Sequence, residues 1–307
     1  MRLWALVLLL ACGKDAKDTP RKEPARDDAR VAVVAVDAAP AVKSDSYPDL
    51  AAALKAIVPA DARVIGFGEL HSRTDRAQVK SSLSRFTTDG LPPFADKLSD
   101  LIVETWIVDP KCGQAAQTAT AKVEMKVRRP AETKSEIAVL AETARAAKIQ
   151  PHAMKLSCAD YERVAPAGQE PLPDVMLGLI TKELGRIADE AVKHRDKDPG
   201  HRPHIALYGG ALHNDRFPNE GVADWSYAAR IDQLTGGRFV EIDLIVPELA
   251  EADPAVQRQP WFPLVKSADP SVRVWKRGER SFVVVFPRSA AIPVERTTAP
   301  TPGTGSQ

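Results

Sequence analysis

Neither sign of charge dominates this chain: 42 basic and 41 acidic residues leave a formal charge of +1. That balance argues against a nucleic-acid partner, whose binding face normally shows a basic excess. No apolar run approaches the roughly 20 residues that a spanning helix needs, which excludes an integral membrane protein. No internal repeat is visible. Histidine, with six residues, and cysteine, with three, are scarce enough to weigh one by one. Against these shortages stand 307 residues, of which 44% are hydrophobic. That content excludes a wholly disordered chain, and the length suits one large domain or two small ones.

The two ends read as something other than fold. Arg2 precedes an apolar run from Leu3 to Leu10, then Ala11-Cys12-Gly13. A charged start, a short apolar stretch and small residues before the break have the form of a secretory signal. Leu9-Leu10-Ala11-Cys12 resembles a bacterial lipobox, in which the cysteine carries lipid. Residues 1–12 are therefore expected to be a lipoprotein signal peptide, with Cys12 anchoring the chain to a membrane of the bacterial cell envelope. Gly13, unlike an aspartate there, points to the outer membrane. Residues 13–46 mix basic and acidic residues with Ala and Pro and hold no aromatic; such a stretch cannot bury enough surface to offset ordering entropy. It is expected to be a tether spanning roughly 30–35 Å as a flexible coil. The Thr/Pro/Gly-rich residues 291–307 are expected to be a disordered tail.

Between residues 47 and 290 the hydrophobic period switches repeatedly. Helical spacing predicts helices over Pro48–Val58, Thr74–Thr87, Glu132–Lys148, Pro173–Arg195 and Trp225–Leu234. Short apolar runs predict strands over Arg63–Glu69, Leu101–Thr105, Ile149–Met154, His204–Gly210 and Phe239–Val246. Val272–Trp275 and Ser281–Phe286 flank a polar turn and read as a hairpin. Strands separated by helices predict a single α/β domain. It would hold a mostly parallel sheet flanked by helices, with the C-terminal antiparallel hairpin at its edge.

In an open parallel sheet, ligands bind outside the carboxyl ends of the strands. The first strand leaves there with Glu69-Leu70-His71, the second with Glu104, the third with His152 and the fourth with Gly209-Gly210-Ala211-Leu212-His213. Glu69, His71, Glu104, His152 and His213 are thus expected to converge, and the strand glycines suggest close backbone approach. Two chemistries stay open for such a set. Imidazoles and carboxylates can bind a divalent metal such as Zn, Mn or Co that activates water, or they can form a base and its orienting partner without metal. His194, His201 and His204 fall at the opposite rim and read as a solvated loop.

Gly68-Glu69-Leu70-His71 after a first strand resembles the opening motif of the erythromycin esterase / ChaN / TIKI superfamily. Leu101-Ile102-Val103-Glu104 fits the second acidic position of that family, and Ala206 to His213 is similar to its late Gly-rich strand ending in His. The resemblance implies an α/β fold and a site of Glu69, His71, Glu104 and His213. It implies either a hydrolase, a peptidase or esterase acting on a peptide or small-molecule substrate with or without a metal, or a non-catalytic lipoprotein that binds haem or a metal. For haem, His152 and Tyr161 are the candidate contacts, with Tyr208 and Tyr227 as further tyrosines. The hydrolase is the preferred of the two, because a haem pocket needs a large apolar slot.

Once Cys12 is lipidated, Cys112 and Cys158 form an even pair in an exported chain, where disulfides persist. Each leaves the sheet just beyond a strand, the second and the third. If those strands are neighbours the two loops meet, and a disulfide is expected.

Overall fold

In the computed structural model, residues 42–289 are described, except 77, 108, 109, 167, 168 and 199. The expected signal peptide with Cys12, nearly all of the tether and the tail lie outside the described residues. By contacts the chain falls into two units, 1–41 and 42–307, and the described residues belong to the second.

The centre of this second unit is an eight-stranded sheet in the order β1-β7-β8-β6-β2-β5-β3-β4. The strands are β1 (Asp45–Tyr47), β2 (Val64–Glu69), β3 (Leu98–Ile107), β4 (Gln150–Lys155), β5 (His204–Gly210), β6 (Phe239–Ile245), β7 (Val272–Gly278) and β8 (Ser281–Val285). Every pairing from β8 through β6, β2, β5 and β3 to β4 is parallel. The β7–β8 hairpin closes one edge in antiparallel pairing, and β1 adds outside it. The fold is thus the expected α/β arrangement. The folded body begins two residues earlier than the sequence suggests, because Asp45–Tyr47 pairs with Val272–Val274.

The helices are α1 (Leu50–Ile57), α2 (Ser82–Arg85), α3 (Gly113–Val127), α4 (Glu132–Ala146), α5 (Cys158–Val164), α6 (Pro173–Arg195), α7 (Ala211–Asn214), α8 (Ala228–Leu234) and α9 (Pro247–Ala250). They cover both faces of the sheet. One core packs α1, α2 and α4 on it through Leu50, Leu54, Leu83 and Leu140. The other packs α3, α5, α6 and α8 through Ala116, Ala119, Tyr161, Ile180, Ile187 and Ile231. β2 and β5 are buried along their whole length, as parallel strands sandwiched between helices must be.

Local chemistry explains the starts and breaks. Asp49 caps α1 by accepting from the Ala52 amide at 2.7 Å. Pro173 opens α6 and Lys193, His194 and Arg195 close it, each suited to its end of the helix dipole. The continuous helix expected over Thr74–Thr87 is broken. Residues 74–76 form a single 3₁₀ turn, Ser81 starts α2 by accepting from the Ser84 amide at 2.9 Å, and a π turn follows over Phe86–Gly90. The break leaves the Thr74 amide free to donate to the Arg128 carbonyl at 2.9 Å, tying this loop to the α3–α4 turn. No apolar spacing predicts α3. Its buried residues Ala116, Ala119, Thr120 and Val123 follow helical spacing, but three of the four are too small or polar to register as an apolar stripe.

Candidate active site

Glu69 is the last residue of β2, and it is buried on the face shared with Tyr208 of β5. The Tyr208 hydroxyl donates to Glu69 Oε2 at 2.6 Å, and His71 Nδ1 stands 2.8 Å from Glu69 Oε1. A carboxylate only accepts, so Nδ1 carries the proton and His71 Nε2 faces away from Glu69. That Nε2 is 3.5 Å from Glu104 Oε1.

Glu104 lies on β3 at a register shift between Val103 and Trp106. Its Oε2 accepts from the Gly210 amide at 2.7 Å, at the end of β5. Gly209 makes room for it: a Cβ there would sit 2.7 Å from that oxygen. This is the close approach that the strand glycines suggest.

His213 is on α7, immediately after β5, and is buried. Its Nδ1 is 2.9 Å from the Trp225 carbonyl and 2.8 Å from Thr181 Oγ1 on α6, whose own hydroxyl proton goes to Trp225 O at 2.7 Å. Both neighbours act as acceptors toward the ring. Nδ1 is therefore the protonated nitrogen, and Nε2 keeps its lone pair.

The two imidazoles are tuned in opposite directions. Desolvation is the largest influence on each and disfavours the charged ring. At His213 it wins, and the pKa is lowered from 6.5. At His71 the carboxylates of Glu104 and Glu69 outweigh both burial and the Arg129 charge, and the pKa is raised from 6.5. Glu104 is held far below the ordinary carboxylate range: burial opposes its charge, but His71, His213 and Arg129 over-compensate.

Arg129 belongs to the same group, though no motif in the sequence singles it out. Its Nη2 is 3.0 Å from each ring nitrogen of His71, so the guanidinium lies against the ring, and it is 3.6 Å from Glu104 Oε1. The available signal is Arg128-Arg129-Pro130, paired cations at a proline-marked helix end.

No protein-family model matches the chain. No curated protein matches it either. Among solved structures it is similar to the type III effector HopBA1, at 14% identity and a TM-score of 0.40, over 81% of this chain and 99% of that one. A likeness this loose carries no functional inference.

His71, Glu104 and His213 line one cavity of about 720 Å³. Arg129, Pro130 and Ile137 form one wall, Val123 and Met125 of α3 a second, and Met176, Leu177 and Ile180 of α6 a third. Glu69 lies behind His71, in a small adjoining recess that His71, Glu104 and Arg129 also line.

His152 is not part of this group. β4 runs on to Lys155, and His152 lies level with Ile102. There its Nε2 pairs with Asp100 at 2.7 Å, while Arg195 holds the other Asp100 oxygen at 2.7 Å. That places it toward the amino-terminal half of β3, away from Glu104. Tyr161 is buried in the core between α5 and α6 and does not line the cavity. Tyr208 serves Glu69, and Tyr227 packs edge-on against Phe239 at 6.3 Å. At the opposite rim His204 is buried rather than solvated, with Nδ1 2.6 Å from the Ala62 carbonyl.

The residues of this set that would hold a divalent metal are His71, Glu104 and His213, which line one cavity. Both Glu69 oxygens are engaged, Glu104 Oε2 is held by an amide, and the Arg129 guanidinium supplies the positive charge between Glu104 and His71. Among the described residues no group of three or more His, Cys, Asp or Glu has metal-holding geometry.

Proposed function

We propose that this protein is a hydrolase of the ester or amide class, with His213 as general base and His71 as general acid. One observation carries the reading: two imidazoles on one cavity have opposite settings, one Nδ1–H facing a carbonyl and the other a carboxylate. Paired titratable groups driven apart in pKa mark an acid and a base. His213 Nε2 takes a proton from water as the water oxygen bonds to the substrate carbonyl carbon. The oxyanion that develops is met by Arg129 and the protonated His71. His71 then gives its Nε2 proton to the leaving oxygen or nitrogen. Glu104, clamped by the Gly210 amide, supplies a fixed negative charge that favours the imidazolium. The resemblance to the erythromycin esterase branch supports the same class.

The test is a pH–rate profile on a panel of 4-nitrophenyl esters. A bell is expected, with its acid limb below 6.5, set by His213, and its basic limb above 6.5, set by His71. H213N and H71N should each lower kcat/KM by about 10²–10⁴-fold. Hydrolysis indistinguishable from that of the H71N/H213N double variant would end the reading, as would a Soret band in the purified protein, which favours the haem-binding alternative.

We also propose that the chain is exported and lipid-anchored at Cys12. Support comes from the disulfide between Cys112 and Cys158, Cα atoms 5.1 Å apart, a bond that persists in oxidising compartments. It leaves Cys12 the one cysteine outside the pair. Mass spectrometry of the mature N-terminus decides it: a diacylglyceryl mass on Cys12 is expected, and an unmodified Met1 overturns the anchor.

A further inference from the structure

The charges around the cavity do not cancel. Lys134 pairs with Glu124 at 2.9 Å, and Arg129 is absorbed by Glu104 and His71. Arg128 also lines the cavity, and among the described residues its guanidinium has no hydrogen-bonding or ionic partner. The fold fixes its place. Arg128 ends α3 in the left-handed conformation, φ 54°, with its amide bonded into the last helical turn and its carbonyl holding Thr74. A residue with a Cβ adopts that conformation at some cost, so the turn is held by its surroundings. Beside it the wall is apolar: Val123, Ile137, Met176, Leu177 and Ile180 line the cavity, and Met125 at its edge is 71% exposed. An exposed methionine beside an apolar slot is unfavourable in water and suits an apolar ligand.

We infer that the cavity takes an apolar acyl ligand that also carries an anionic group, with the chain between α3, α4 and α6 and the anion on Arg128. This deepens the hydrolase reading and rests on it for the reaction, though not for the binding. In that reading the acyl carbonyl sits over His71 and His213. A guanidinium recognises a carboxylate through paired N–H donors. A volume of about 720 Å³ suits a drug-sized molecule rather than a polymer segment.

Binding is tested without turnover by displacing the neutral fluorophore N-phenyl-1-naphthylamine from the full chain. The competitors are octanoate and octan-1-ol, of equal chain length. In the wild type octanoate should displace the probe at about 5–10-fold lower concentration than the alcohol, and added salt should erode that advantage. R128Q should bring the two within about twofold, and R128K should keep part of the difference. R128N, whose side chain tolerates positive φ, is the second variant should R128Q fold poorly. Turnover is then compared between 4-nitrophenyl octanoate and the mono-4-nitrophenyl ester of octanedioic acid. Arg128-dependent octanoate binding without cleavage of either ester keeps the ligand class and sinks the hydrolase. Cleavage of both esters with an R128Q ratio equal to wild type keeps the hydrolase and sinks the ligand class. A wild type that does not bind the fluorophore, or an octanoate preference unchanged in R128Q and R128N, overturns the inference.

Discussion

Replacing Gly209 with alanine tests the packing that holds Glu104 in place. A Cβ at residue 209 would stand 2.7 Å from Glu104 Oε2 and 3.0 Å from Glu104 Cβ. The second contact is with the root of the side chain, which a rotamer change cannot move. The first is with the oxygen that accepts the Gly210 amide at 2.7 Å. Overpacking of this kind costs about 1–3 kcal/mol. Prising the carboxylate from its amide forfeits a buried hydrogen bond to a charged group, about 1.5–3 kcal/mol. Any shift that relieves one also relieves part of the other, so the expected loss is about 2–4 kcal/mol. Gly221→Ala is the control. A Cβ added at residue 221 would meet open space and the φ there is not positive, so this change should alter stability by no more than about 0.5 kcal/mol. Urea unfolding of wild type, G209A and G221A supplies the comparison, with equal m-values required before midpoints are converted to free energies. A G209A protein within about 0.5 kcal/mol of wild type would refute the reasoning, because Glu104 would then have room that the geometry denies it.

Stability should fall in two steps on the acid side. The folded pKa of His213 is depressed, so its contribution is present above its unfolded value of 6.5 and is lost as pH drops below it; H213Q should abolish that step. Asp100 and Glu104 are depressed too, and their contributions should go below about 4.5, read as the pH dependence of urea midpoints. His71 runs the other way: its contribution is present below 6.5 and is lost as pH rises through its raised folded value, so H71N should flatten the basic side. C112S/C158S should lose about 2–4 kcal/mol by opening a loop whose ends are 46 residues apart, and two free thiols in the denatured, unreduced wild type would contradict the bond. Thr181→Val keeps the shape of the side chain but removes the hydroxyl that bridges the His213 ring and the Trp225 carbonyl, leaving only their direct contact; kcat should fall about tenfold with KM unchanged, through misplacement of the base.

The centre of the sheet is legible in the sequence because β2 and β5 are buried on both faces and so appear as apolar runs. β5 coincides with its expected bounds, the other expected strands differ mainly at their ends, and the three-residue β1 is not foreseen at all. The contribution of β2, β3 and β5 to one rim follows from parallel pairing alone, and Glu69, His71, Glu104 and His213 fall there. His152 departs from expectation because register is not written in a single strand: the Ile102–His152 pairing sets it too early along the sheet, where Asp100 claims it. Arg129, Thr181 and the Trp225 carbonyl are invisible for a related reason. Each reaches the site from another part of the chain, and no spacing in the sequence records that approach. The break after residue 76 follows from a similar tertiary tie, Thr74 to Arg128, and the helix expected over Trp225–Leu234 begins only at Ala228, where Ser226 Oγ just before it donates to the Asp215 carbonyl. Local propensity favours continuous helix at both places.

α3 is fastened at two ends: by the disulfide beside its first turn and by the Thr74–Arg128 bond at its last. Between those fastenings its inward residues touch ligand space and core, while the acid stands on the loop just after β2 and the base on α7. Choice of ligand and chemistry are therefore inherited separately. Substitutions along α3, residues 113–127, can change the size and polarity of the chamber without touching Glu69, His71, Glu104, His213 or the Arg129 that braces them. A lineage of this fold can drift widely in what it accepts while one catalytic floor stays fixed, and exchanging that segment between relatives is the natural way to redirect it.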